Sequence, residues 1–139
     1  MAYGDGDASF QAAGGEAGLR RLVDAFYDQM ETRPYAATLR AMHPADLTVS
    51  RDKLARFLCG WLGGPKRYQE TYGSISIPGA HAHLAVDADA RDAWLALMRE
   101  ALAAQPMADE FKDYLLRALA VPAERVRMVC GQIRAASAT

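Results

Sequence analysis

An all-α fold is predicted by three features of this chain: an alanine-rich composition, apolar residues that recur at three- and four-residue steps, and a near absence of alternating β-branched stretches. Alanine supplies 28 of the 139 residues and has the highest helix propensity of any residue. Val, Ile and Thr seldom alternate with polar residues as a half-buried strand requires.

The elements follow in order. Leu19, Leu22, Val23, Phe26, Tyr27 and Met30 mark one face of a first long helix, and Pro34 stops it just beyond Arg33, because the residue before a proline is driven out of the helical region. A second stripe, Leu54, Phe57, Leu58, Trp61 and Leu62, ends at Gly63-Gly64-Pro65, where two flexible residues precede one without a backbone donor. The third stripe is Trp94, Leu97, Met98, Ala101 and Leu102; Asp87 or Asp89 can cap its start, and Gln105-Pro106 ends it. Beyond it come Phe111, Leu115, Leu116 and Leu119, a break at Val121-Pro122 with proline at a first helical position, and then Val126, Val129, Cys130 and Ile133. That reads as helix, turn, helix. Between Tyr72 and Asp87 the residues Gly73, Ser74, Ser76, Pro78 and Gly79 leave room for no more than a turn or two. No repeat or composition shift divides residues 1–139, so a single domain is expected, with residues 1–10 as a loose tail.

Charge and composition exclude several classes. Sixteen Lys and Arg against 17 Asp and Glu give a net charge of -1, with nothing to steer the chain toward nucleic acid or an anionic membrane. No apolar run approaches the ~20 residues of a membrane span, and the opening MAYGDGDASF lacks the charged and apolar regions of a signal peptide. The expectation is a soluble, cytoplasmic protein with a small neutral partner. Cys59 and Cys130 each fall inside an apolar helical pattern, which points to buried reduced thiols rather than a disulfide or a metal site.

An irregular loop in the middle of an all-helical chain needs a reason, and this one carries His81 and His83. A haem iron requires one neutral imidazole nitrogen at the edge of an apolar slot. Two loop histidines alone do not establish such a site, since a solvated side chain is their commoner fate. Tyr27 and Trp94, taken by periodicity, read as core aromatics.

Four segments, in order and at consistent spacing, resemble the group II truncated globins. Leu22 to Met30, LVDAFYDQM, resembles the family's second helix with its adjacent Phe26 and Tyr27. Met42-His43-Pro44-Ala45-Asp46-Leu47 is similar to the turn that follows. Phe57 to Pro65, FLCGWLGGP, with Tyr68 after it, is similar to the long distal helix and its end. Arg91-Asp92-Ala93-Trp94-Leu95 matches the start of the next helix, and the family's proximal histidine lies thirteen residues before that tryptophan, at His81. The match covers residues 14–102; the C-terminal helices agree in pattern only.

The resemblance implies a two-over-two helical sandwich enclosing haem b, with His81 as the proximal iron ligand. His83 is the competitor, but residues two apart on a helix point about 200° away from each other, so only one can face the haem. A diatomic ligand held at haem gains partial negative charge, and the resemblance implies Tyr27, Trp94 and His43 as the groups that stabilise it, by O–H, indole N–H and ring N–H. His43 has a second reading as a turn residue bonded to a nearby carbonyl. Ser50, Leu54, Phe57, Leu58, Tyr68, Leu84 and Met98 are implied for the haem pocket, and Lys53 for a haem carboxylate. Ser50 can alternatively cap its helix, which would occupy its oxygen, and Lys53 can simply lie on a solvated face.

The chain departs from the family between Ser74 and Leu84. Ser74 and Ile75 replace a customary His-Pro, Ala80 an arginine before the proximal histidine, and Leu84 a phenylalanine under the ring. The implied function is binding of dioxygen, carbon monoxide and nitric oxide. Conversion of nitric oxide or peroxide by the haem is a second possibility, which would need an external reductase, and a haem-free helical interaction module a third. Monomer and homodimer both stay open.

Overall fold

The computed structural model of the chain describes the backbone of residues 2–138 and the side chains of residues 2–77 and 79–133. Every regular element among the described residues is helical. α1 (Ala8–Ala12) and α2 (Gly15–Thr32) lead through a 3-10 turn, Pro34–Ala36, into α3 (Ala37–Ala41). α4 (Thr48–Trp61), α5 (Arg67–Tyr72), α6 (Ile77–His81), α7 (Ala88–Ala103) and α8 (Asp109–Ala138) complete the order.

The α2 stripe becomes a buried face throughout, whereas Trp61 and Ile133, toward the ends of two other predicted stripes, are exposed. Leu19, Leu22, Val23, Phe26, Tyr27 and Met30 are all buried on α2, and Arg33 leaves the helix at φ -81, ψ 123 ahead of Pro34. α7 starts at Asp87, not Asp89: the Asp87 carboxylate accepts the Ala90 N–H at 2.8 Å, satisfying one of the orphan donors of the first turn. α2 packs on α4 and on α7, and α7 packs on α8, which gives the two-over-two arrangement. Phe26, Met30, Leu58, Leu97, Met98, Phe111 and Leu115 are fully buried at its centre. α5 rests on α4, and α6 on α8. Around that second contact Val86, Ala90, Val126 and Cys130 form a smaller core with Met42, Ile77 and Leu84.

Two expectations are corrected. The N-terminal segment is packed rather than loose: the Phe10 N–H donates to the Leu62 carbonyl at 3.1 Å, and the Tyr3 ring sits 5.3 Å from Phe111. The cause lies in the glycine pair read as a helix stop. A Cβ on Gly63 would stand 1.9 Å from the Gly6 carbonyl oxygen, and one on Gly64 2.5 Å from the Phe10 ring, so the bare backbone is the surface on which the segment lies. The second correction concerns Val121-Pro122, where α8 runs on without a break. Proline leaves the Ala118 carbonyl without its usual helical donor. Both halves are nevertheless held by packing, Phe111, Leu115 and Leu119 in the main core, Val126 and Cys130 in the smaller one.

Both cysteines are buried and unpaired with each other. No helix among the described residues is long and apolar enough to cross a membrane.

The Gly64 contact gives a stability test. Gly64→Ala is expected to lower the thermal midpoint, at a cost of about 1–3 kcal/mol typical of overpacking; circular dichroism melting checks this, and an unchanged midpoint would mean that Phe10 does not press on Gly64.

Candidate functional site

Where α2, α3, α4, α5, α6, α7 and α8 meet, they line an open-mouthed cavity of about 330 Å³, within the usual range for small-molecule sites. Leu39, Leu54, Phe57, Leu58, Leu119 and Val126 make its walls largely apolar. A second hollow, of about 280 Å³, is lined by Glu16, Arg20, Arg56, Cys59, Arg67 and Glu70. Its arginines are engaged in ion pairs with Glu16, Glu70 and Asp52, so the apolar cavity is the better candidate for a ligand.

His81, the last residue of α6, lines the apolar cavity, whereas His83 is exposed and does not. The His81 Nδ1 lies 2.7 Å from the Ile77 carbonyl oxygen. A carbonyl only accepts, so Nδ1 carries a proton, and in the neutral ring Nε2 keeps its lone pair for another partner. α6 is anchored at its start by Ser76, whose hydroxyl accepts the Gly79 N–H.

His43 repeats the device. Its Nδ1 donates to the Leu39 carbonyl at 2.9 Å, and the ring still lines the cavity, so its two sequence readings are compatible. Burial, the largest influence, holds its pKa below the ordinary histidine value, with Arg40 and His81 pushing the same way against the Leu39 bond. The ring is therefore neutral at neutral pH.

Tyr27 comes from α2, 6% exposed, with its ring 5.8 Å from that of His43. Burial pushes its pKa up to about 12, while Arg51 pulls weakly the other way. The phenol stays protonated and can donate. Trp94 reaches the cavity from α7. Phe26 sits between the two, 5.0 Å from the Tyr27 ring and 5.2 Å from that of Trp94. Both line the cavity, Tyr27 buried and Trp94 half-buried, and neither the Tyr27 hydroxyl nor the Trp94 indole N–H makes a hydrogen bond to another described residue.

Ser50, Lys53, Tyr68 and Leu84 also line the cavity. Ser50 does not cap α4, because the helix begins two residues earlier at Thr48, behind an N-cap Leu47 with no side-chain cap bond; Asp46 accepts the N–H and the hydroxyl of Thr48 at 2.9 and 2.6 Å. Lys53 holds its ammonium 5.3 Å from the Tyr72 ring centroid. Met98 is the exception: although one turn beyond Trp94, it is fully buried in the central core and does not line the cavity.

The structure adds residues that the sequence reading missed. Leu119, Pro122, Ala123 and Val126 bring one face of α8 to the cavity; their three- and four-residue spacing was visible, but not the element they would face. Arg91 also lines it, with its guanidinium paired to Asp92 at 3.0 Å and to Glu124. Its place in Arg-Asp-Ala-Trp-Leu was the only signal. Ile75 and Ala80, noted above as departures, line the cavity as well.

The bacterial-like globin family model matches residues 8–127. The group 2 truncated hemoglobin YjbI of Bacillus subtilis (strain 168) is 31% identical over 120 residues, 86% of this chain and 88% of the relative. Among solved structures, the group II 2-on-2 hemoglobin of the plant pathogen Agrobacterium tumefaciens matches with a TM-score of 0.81 and 33% identity, covering 86% of this chain and 92% of that one. The truncated oxygen-avid haemoglobin of Bacillus subtilis matches with a TM-score of 0.78 and 31% identity, over 86% and 98% of the two chains. The chain belongs to the bacterial-like globins and, among them, to the group II truncated haemoglobins. Membership implies a haem cofactor and gas binding.

Asp52 provides an electrostatic test of how the site is framed. Its carboxylate accepts from the Tyr72 hydroxyl at 2.6 Å and from Arg20 and Arg56 at 2.6 and 2.9 Å, joining α4 to α2 and to the α5 that carries Tyr68. Led by the Tyr72 bond, these contacts hold its pKa at about 2, below the ordinary value of about 4. A depressed carboxylate adds stability that is present above the ordinary pKa and is lost as pH falls from about 4 through about 2. Asp52→Asn is expected to lower the thermal midpoint at neutral pH and to flatten its acid dependence over that window; equal slopes in the two proteins would contradict it.

Proposed function

We propose that this chain binds haem b in the apolar cavity through His81 and holds dioxygen reversibly, with carbon monoxide and nitric oxide as competing ligands. The observation that carries the reading is the meeting in one apolar cavity of an imidazole with a free Nε2 and two donors, on a buried tyrosine and a half-buried tryptophan, with no hydrogen bond to another described residue. Haem bound there supplies a ferrous iron with an open coordination position.

The chain's own residues do the rest. The Ile77 carbonyl sets the tautomer of His81 and makes its Nε2 the more basic. Phe57, Leu58 and Leu119 exclude water along the apolar walls of the cavity. Tyr27 and Trp94 present O–H and N–H where a bound diatomic ligand gathers negative charge, and since neither is spent on a protein acceptor, both can serve it. His43, neutral and tied back to Leu39, adds a third polar group beside Tyr27. Lys53, Tyr68 and Arg91 supply cationic and hydroxyl partners for the haem carboxylates. With His81 free to ligate and donors poised to retain the ligand, stable binding is favoured over turnover.

The reduced, haem-loaded protein is expected to show a five-coordinate ferrous spectrum that His81→Ala loses and that external imidazole restores. Tyr27→Phe and Trp94→Leu should each speed dioxygen release about tenfold or more, the value of one lost bond to a charged acceptor, as read by stopped-flow. A wild-type spectrum in His81→Ala, or unchanged release from both distal variants, would refute the reading.

A further inference from the structure

α6 is five residues long, too short to fix a side chain by its own backbone bonds. Within it, Gly79 and Ala80 are small and exposed and offer no grip. Within α6 the ring is bonded to the Ile77 carbonyl; the hold on the His81 backbone carbonyl comes from outside the helix. Its carbonyl accepts twice: from the Leu84 N–H at 2.9 Å, which closes the turn after α6, and from the thiol of Cys130 on α8, with Sγ 3.3 Å away. A carbonyl cannot donate, so the S–H does. Among the described residues this is the one hydrogen bond that links α6 to α8.

Cys130 is 1% exposed and lies in the smaller core with Val86, Ala90 and Val126, packed by Ile77 and Leu84. Thiols are weak donors, but in so dry a setting a hydrogen bond is stronger than in water, and an abandoned acceptor is costly. Ile77, whose carbonyl binds the His81 ring, belongs to the same cluster. The imidazole and the carbonyl of His81 are thus both tied to groups at this one contact.

We propose that Cys130 is a positioning residue for His81: its thiol pins the His81 carbonyl and thereby sets the rotation of the imidazole that faces the cavity. The inference rests on the reading of His81 as the iron ligand. Loss of the donor removes the hydrogen bond from α8 and leaves the carbonyl only its bond from the Leu84 N–H, so the end of α6 shifts and the ring turns about the bond that remains to Ile77.

The test uses haem-loaded ferrous protein and the iron–histidine stretching band in resonance Raman spectra. Cys130→Val fills the space without a donor, and Cys130→Ser keeps a donor; thermal melts of both establish that they fold. The band is expected to shift and broaden in Cys130→Val and to return toward the wild-type position in Cys130→Ser, with haem loss about threefold faster in the former, as loss of one modest hydrogen bond implies. A wild-type band in Cys130→Val overturns the proposal, and so does a Cys130→Ser band displaced equally far. His81→Ala is measured beside them: if it keeps the band, the ligand assignment itself has failed, independently of Cys130.

Discussion

Phe26 is the contact on which the architecture and the site both depend. It is wholly buried at the crossing of α2 and α7 and touches Tyr27 on its own helix and Trp94 on the other. One large apolar ring therefore closes the central core and fixes the two donors at the cavity edge. Interiors are close-packed and transmit displacement, so any change in how α2 crosses α7 moves both groups together.

The cavity is kept by a division of labour among helices. α2, α4 and α7 with the first half of α8 bury the main core, and the second half of α8 holds α6 through a separate, smaller one. The slot lies between these two packed regions. Ion pairs brace its frame: Asp52 ties α4 to α2 and α5, Arg51 reaches Asp24 and Asp28 on α2, and Arg91 binds Glu124 on α8. Exposed pairs of this kind are individually worth little. Their effect is to set the register of helices whose apolar faces would tolerate sliding.

Most helices were legible because their signals are local. The α2 stripe, the stop before Pro34 and the Gly63-Gly64-Pro65 terminus depend on period and on backbone chemistry within a few residues. The pocket residues from Tyr27 to Trp94 were legible for another reason: a family resemblance whose motifs each carry a side chain to the cavity, Tyr27, His43, Phe57, Leu58 and Trp94 among them. Met98 was misplaced because a helical period identifies a buried face without saying whether its neighbour there is a core side chain or a cavity. Ser50 was undecided because the sequence did not show that α4 starts at Thr48, which puts Ser50 inside the helix and not at its cap.

By itself the sequence determined the all-helical class and most of the helix ends, which follow from local periodicity and from proline and glycine chemistry, and its family resemblance chose His81 over His83. The tertiary structure decided what depends on distant partners. The N-terminal segment lies down only because Gly63 and Gly64 leave room for Gly6 and Phe10, and α8 passes through Pro122 only because both its halves are packed. His81 and Cys130 stand 49 positions apart in the chain, and no pattern within either segment records that α6 and α8 bring a thiol to a carbonyl. Contacts between remote residues are chosen by how whole faces fit, and that information is held in no single stretch of sequence.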